Sequence, residues 1–101
     1  MGSSGEAVYA ACKAGLLGLS KTLARELATK NITVNVVCPG PTDTALLKGV
    51  ADTSRDPEKL LEAFRNAVPM RRIGQPEDYP GIIVMLASDE ANFITGQVIS
   101  V

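Results

Sequence analysis

Residues 32–44 read ITVNVVCPGPTDT, a β-branched and mostly apolar run that breaks into a loop of Pro, Gly, Thr and Asp. Branched side chains fit the pleated surface of a sheet, so 32–38 is predicted as a strand. Its mostly apolar content suits a strand covered on both faces, as in a parallel sheet. Residues 39–44, PGPTDT, form a turn-forming loop at the strand's C-terminal end. Parallel neighbours need a long crossover, so the flanks should hold helices.

They do. Upstream, Ser3 and Glu6 have capping-box spacing, and a helix is predicted from about residue 7 to 29. Leu16, Leu19, Leu23 and Leu27 make a core stripe, while Ala11, Ala14, Gly15 and Gly18 make a stripe of small residues. That second stripe suits either tight packing within the chain or a contact between subunits. Asn31 ends the helix. Downstream, 45–55 is mixed, without a clear period, and is predicted to be irregular and mobile. Asp56-Pro57 is a strong helix start, followed by an apolar face of Leu60, Leu61, Phe64, Ala67 and Val68, and Pro69 is the stop. Gln75-Pro76-Glu77-Asp78 opens a third helix, with Pro80 placed to distort it. The run at 82–87 suggests burial on most sides. SDEAN closes that helix, and FITGQVISV, 93–101, reads as a last strand. The order helix, strand, helix, helix, strand is half of an α/β plan. Two parallel strands make a poor core by themselves, so the chain reads as a piece of something larger.

Composition narrows the function. The formal net charge is −1, which gives no field to attract nucleic acid or anionic lipid. The longest apolar runs, AVYAAC and IIVMLA, are far too short to span a bilayer. No secretory signal pattern opens the chain, so the cytoplasm is the expected location. Cys12 and Cys38 lack zinc-site spacing and are expected to be small buried residues, with a disulfide the minor alternative. Histidine is absent, which removes histidine-based triads and the commonest metal ligand, and no metal site is expected.

Chemistry enters with AVYAACKAG, residues 7–15. On a helix, Tyr9 and Lys13 share one face, about one turn apart. A cation beside a phenol favours its ionised form. Such a pair can move a proton to or from an alcohol or carbonyl oxygen near neutral pH. That step fits hydride transfer at the attached carbon when a nicotinamide cofactor lies alongside. By itself, the pair reads more readily as a half-buried tyrosine beside a solvated lysine than as chemistry.

Taken in order, Tyr9-x-x-x-Lys13, TVNVVCPGPTDT, RRIGQPED and LASDEANFITGQVISV resemble the C-terminal half of the short-chain dehydrogenase/reductase family across essentially all 101 residues. The resemblance implies a Rossmann-type doubly wound parallel sheet, present here in part, and NAD or NADP as cofactor. It implies that Tyr9 is the general acid/base and that Lys13 favours the ionised tyrosine and hydrogen-bonds the nicotinamide ribose. Pro39 and Gly40 would end the strand beside the nicotinamide ring. Thr42 would meet the carboxamide through its backbone, and Thr44 would add a hydroxyl contact. Residues 45–70 would form the substrate loop and its helices. The 7–29 helix would join a subunit interface in a homo-oligomer. By wording, GSSGEAVYAACKAG and VNVVCPGPTDTALL are most similar to dehydrogenases of alicyclic hydroxyacyl-CoA thioesters such as 2-hydroxycyclohexanecarboxyl-CoA, with 3-oxoacyl-carrier-protein reductases the alternative. The implied substrate is a secondary alcohol or ketone, as a hydroxyacyl-CoA or an acyl-carrier-protein thioester.

The departures are as informative. The family's Gly-rich phosphate loop, its NAD-or-NADP selecting residue and its asparagine are absent. Its catalytic serine lies farther upstream than the eight residues that precede Tyr9, and Ser3 and Ser4 are too close to serve. The Asp-Gly-Gly that usually follows the last strand is also missing, and Pro80 stands where many relatives have a plain helix former. The expectation is that 1–101 is the C-terminal portion of one NAD(P)-binding domain, inactive without its N-terminal half. The competing expectation is a non-catalytic chain that acts by self-association or by binding full-length subunits.

Overall fold

The computed structural model describes residues 6–101. Ser3 of the expected capping box lies outside them. The elements run α1 (Glu6–Leu27), β1 (Val36–Cys38), α2 (Ala45–Asp52), α3 (Pro57–Ala67), α4 (Pro80–Leu86) and β2 (Val98–Ser100), with 3-10 turns at Ala28–Lys30, Pro76–Asp78 and Asp89–Ala91. β1 and β2 pair in one two-stranded sheet. Val36 N–H donates to Gln97 O, Val101 N–H to Cys38 O and Gly40 N–H to Val101 O, an advancing register that makes the strands parallel. The chain divides into two compact units: the segment up to Val37 with Met85–Ile99, and Cys38–Val84 with Ser100–Val101.

In the first unit, α1 ends through its 3-10 turn at Asn31, which is left-handed at φ 59° and ψ 32°. Asparagine tolerates that conformation better than most residues. Ala24 of α1 is buried at 3% exposure, and Gly96 packs beside it: a Cβ added there would lie 3.6 Å from Ala24 Cβ. Gly96 has φ +71°, so a side chain there would be strained as well as close. The expected leucine stripe holds only in part. Leu23 and Leu27 are half-buried, whereas Leu16 and Leu19 are exposed.

The predicted strands are longer than the observed ones for a local reason. Before β1 meets β2, side chains replace part of the backbone ladder. Val34 N–H donates to Thr95 Oγ1 at 3.0 Å. The Asn35 amide donates to Ile94 O at 2.9 Å and accepts from Gln97 N at 3.1 Å. Segments 32–35 and 93–97 are therefore tied together without regular pairing. The expected covering of 32–38 on both faces is also corrected, since β1 is half-buried along its length.

In the second unit, α2 corrects the expectation of an irregular 45–55. Thr44 caps it by accepting from Leu47 N at 3.3 Å, and Ala51 is buried at 2%. α2 packs against α3. Asp56 caps α3 by accepting from Lys59 N at 3.1 Å, with Pro57 in the first turn, as the sequence predicts. Val68 turns extended before Pro69 and stops the helix. The third predicted helix is split in two. The Pro76–Asp78 turn and α4 are separated at Tyr79, directly before Pro80.

Burial is lower than composition suggests. Among the described residues the buried apolar side chains are Ala24, Ala51 and Ala91, and no large side chain is fully buried. Ile83 and Val84 are exposed, which corrects the expected burial of 82–87 on most sides. Cys12 is exposed rather than buried, Cys38 is intermediate, and both thiols are free. Among the described residues no helix is long and apolar enough to cross a membrane, and no cluster of metal-ligating side chains stands together.

Candidate functional site

The first predicted site residues lie in the first three turns of α1. Helical periodicity brings Tyr9 and Lys13 to one face, and Lys13 Nζ stands 5.4 Å from the centroid of the Tyr9 ring. A cation over an aromatic face at that distance is attracted by the ring quadrupole, by about 0.5–1 kcal/mol at an exposed site. The ring is 64% exposed. The ammonium thus covers the π-face, and no hydrogen bond occupies the phenol hydroxyl among the described residues. The small-residue stripe nearby is also open, with nothing within 4 Å of a Cβ built on Gly15 or Gly18.

The other predicted residues belong to the second unit. Pro39 and Gly40 follow β1 and are exposed. Gly40 N–H donates to Val101 O at 3.0 Å, and a Cβ on Gly40 would sit 3.4 Å from that oxygen, at van der Waals contact. The loop then meets Gly74 in an isolated parallel bridge at Thr42. Gly74 N–H donates to Pro41 O at 2.9 Å, and Asp43 N–H donates to Gly74 O at 2.7 Å. In a parallel bridge the central residue's own N–H and C=O point away from the partner, so Thr42 presents both on its far side. Its hydroxyl is 2.8 Å from Gly40 O and 2.6 Å from the Tyr79 hydroxyl. Thr44 uses its oxygen as the α2 cap and keeps its hydroxyl hydrogen for another acceptor.

One ion pair braces this region. Arg72 donates through Nη1 to Asp78 Oδ2 at 2.7 Å and through Nη2 to Asp78 Oδ1 at 3.0 Å. Asp78 Oδ2 also accepts from Gln75 N at 2.7 Å. The Arg72 guanidinium, helped by the Gln75 amide, holds the Asp78 carboxyl down at about 2. The same hydrogen bonds raise Arg72 above the ordinary arginine range. The pair closes the 72–78 turn that carries Gly74 to Thr42. Sequence reading assigned no role to Gly74 or Tyr79. Tyr79 lies 37 positions from Thr42, and only the fold brings them together.

The enoyl-(acyl carrier protein) reductase family model matches residues 1–101, the whole chain. A solved short-chain dehydrogenase family protein from Francisella tularensis superposes with a TM-score of 0.78 at 31% identity, over 88% of this chain and 39% of that one. The chain belongs to the short-chain dehydrogenase/reductase family. Among curated family members it is 44% identical to the 3-oxoacyl-[acyl-carrier-protein] reductase FabG of Thermotoga maritima, over 99% of this chain and 38% of that protein. It is 47% identical to the acetoacetyl-CoA reductase of Shinella zoogloeoides, over 98% of this chain and 39% of that protein. YwfH, an NADPH-dependent reductase of bacilysin biosynthesis, superposes with a TM-score of 0.79 at 36% identity, over 86% of this chain and 35% of YwfH. The chain therefore spans less than two-fifths of the length of FabG and YwfH, and its two strands and flanking helices are an incomplete Rossmann-like α/β fold.

Proposed function

We propose that these 101 residues are the C-terminal portion of an NAD(P)-dependent short-chain reductase of 3-oxoacyl thioesters. The observation that carries the reading is the Tyr9–Lys13 pair on an open helix face, in a chain that matches the family model from end to end. Tyr9 delivers its hydroxyl proton to the carbonyl oxygen as that oxygen gains charge, and takes it back in the reverse direction. Lys13 supplies the neighbouring positive charge and a donor for a ribose hydroxyl. The cofactor, when bound, supplies the hydride.

The 39–44 loop suits a nicotinamide. Pro39 and Gly40 offer a side-chain-poor surface, Thr42 has its amide on the side away from Gly74, and Thr44 retains a hydroxyl donor. Both curated relatives act, by name, on open-chain 3-oxoacyl thioesters, which favours the carrier-protein reductase reading over an alicyclic thioester. The test is NAD(P)H consumption by the intact enzyme that carries these residues, with acetoacetyl-CoA as substrate. Turnover is expected with one of the two cofactors, and no turnover with either contradicts the reading.

Open apolar surface motivates a second reading, in which residues 1–101 alone act by association. Phe93 is 98% exposed, and Leu46 and Met70 are largely exposed. Exposed apolar side chains drive binding or aggregation where they form a contiguous patch. On either reading, residues 1–101 expressed alone neither bind NADH tightly nor turn over. A monodisperse, folded monomer counts against the association reading, and saturable micromolar NADH binding counts against the inactivity of the segment.

A further inference from the structure

We propose that Tyr79 is a positioning residue that tethers the 39–44 loop from outside it, setting cofactor affinity rather than the rate of the chemical step. This rests on the cofactor role proposed above for that loop. The Thr42 hydroxyl has one hydrogen and two oxygen neighbours, Gly40 O at 2.8 Å and Tyr79 Oη at 2.6 Å. A carbonyl can only accept, so the Thr42 hydrogen points to Gly40 O and Tyr79 is the donor in the shorter contact. The result is a directed relay from Tyr79 through Thr42 to the carbonyl of Gly40.

The relay fixes what the backbone bridge leaves free. Gly74 pins Pro41 O and Asp43 N, the two atoms that flank Thr42. Tyr79 pins the Thr42 side chain and, through it, the direction of the Gly40 carbonyl. The Thr42 amide is thus held in one orientation before any ligand arrives. Without the tether, that order must be imposed on binding, at a cost in affinity.

Gly74 is shaped to allow this contact. A Cβ there would overlap the Tyr79 hydroxyl and lie 3.3 Å from Tyr79 Cζ, so the ring lies across a position that only glycine leaves open. Tyr79 is half-buried and sits at the break between the Pro76–Asp78 turn and α4, whose first residue is Pro80. The ring therefore springs from a fixed corner rather than from a continuous helix.

The experiment uses the intact enzyme with Tyr79→Phe, Thr42→Val, Thr42→Ser and the Tyr79→Phe/Thr42→Val double variant. NAD(P)H affinity, kcat, Tm and the exchange rates of the Asp43 and Gly74 amides without cofactor are measured. Losing one hydrogen bond predicts about fivefold weaker cofactor binding and about fivefold faster exchange in Tyr79→Phe, with kcat within about twofold. Thr42→Ser keeps the hydroxyl and should keep the wild-type exchange rates of the Asp43 and Gly74 amides, which separates loss of the relay from loss of the side chain. The double variant should be no weaker than Thr42→Val, because the two hydroxyls act as one unit. Unchanged exchange in Tyr79→Phe overturns the tether. Faster exchange with unchanged affinity overturns the positioning role. A wild-type enzyme that binds neither NADH nor NADPH contradicts the cofactor reading itself and takes the positioning role with it. Wild-type binding that Tyr79→Phe leaves intact contradicts this proposal alone.

Discussion

Lys13 holds its ammonium over the face of the Tyr9 ring, 5.4 Å from the centroid, instead of against the phenol oxygen. The positive charge stays beside the tyrosine while the hydroxyl remains open to a reacting oxygen. Lys13→Met keeps the stem and removes the charge. The side chain is exposed, so stability should change by less than about 0.5 kcal/mol. Turnover by the intact enzyme should fall by roughly a hundredfold or more, because the acid/base pair loses its cation. Matched melting curves and steady-state rates check both halves of that prediction.

The Arg72–Asp78 pair makes an acid-side prediction. Asp78 is held at about 2, below its ordinary 3.8, by the Arg72 hydrogen bonds and the Gln75 amide. A carboxylate lowered in the folded state adds stability above its unfolded value and loses it as pH falls through the folded value. The contribution should therefore be complete above pH 3.8 and disappear as pH drops to about 2. Asp78→Asn should remove that part of the pH dependence while leaving the neutral-pH fold in place. Acid-unfolding curves of the two proteins, compared across this window, show whether it does.

Thr44 carries two separable duties. Its oxygen caps α2 across a rather long 3.3 Å bond, so Thr44→Ala should cost about 0.5–1 kcal/mol, the lower part of the range for caps. Thr44→Ser should restore both cap and hydroxyl donor, whereas Thr44→Asp should restore the cap alone. If the hydroxyl also meets the cofactor, Thr44→Asp recovers stability without recovering NAD(P)H affinity. Denaturant unfolding and cofactor titration on the three variants separate the duties.

The sequence was most legible where local chemistry suffices. Asp56-Pro57 starts α3, Asn31 ends the first helix, and Pro80 breaks the third, each through a backbone constraint carried by one or two residues. Strand length was less legible. Branched side chains show where an extended chain is favourable, but regular pairing also needs a partner. Between 32–35 and 93–97 one backbone bond, from Gly96 N–H to Val34 O, is joined by the side chains of Asn35 and Thr95. α2 escaped notice because ALLKGVAD is short and interrupted by Gly49, and its signal was a cap residue already assigned to the cofactor.

Burial was read least well. Cys12, Leu16, Leu19, Ile83 and Val84 are apolar enough to want cover, yet all are exposed among the described residues. Hydrophobicity states a demand for cover and does not name its supplier. The contact between Thr42 and Tyr79 was invisible for a different reason. It joins residues 37 apart through the conformation of a loop, and no period or spacing encodes it.

The most direct test of the account is Tyr9→Phe in the intact enzyme, with turnover and cofactor affinity measured on the same preparation. The ring and its contact with Lys13 survive this change, and only the transferable proton is lost. The account predicts that NAD(P)H affinity stays within about twofold while the rate falls by roughly 10²–10⁴-fold. Turnover close to that of the wild type would show that the proton comes from elsewhere, and the assignment of Tyr9 as acid and base would be wrong.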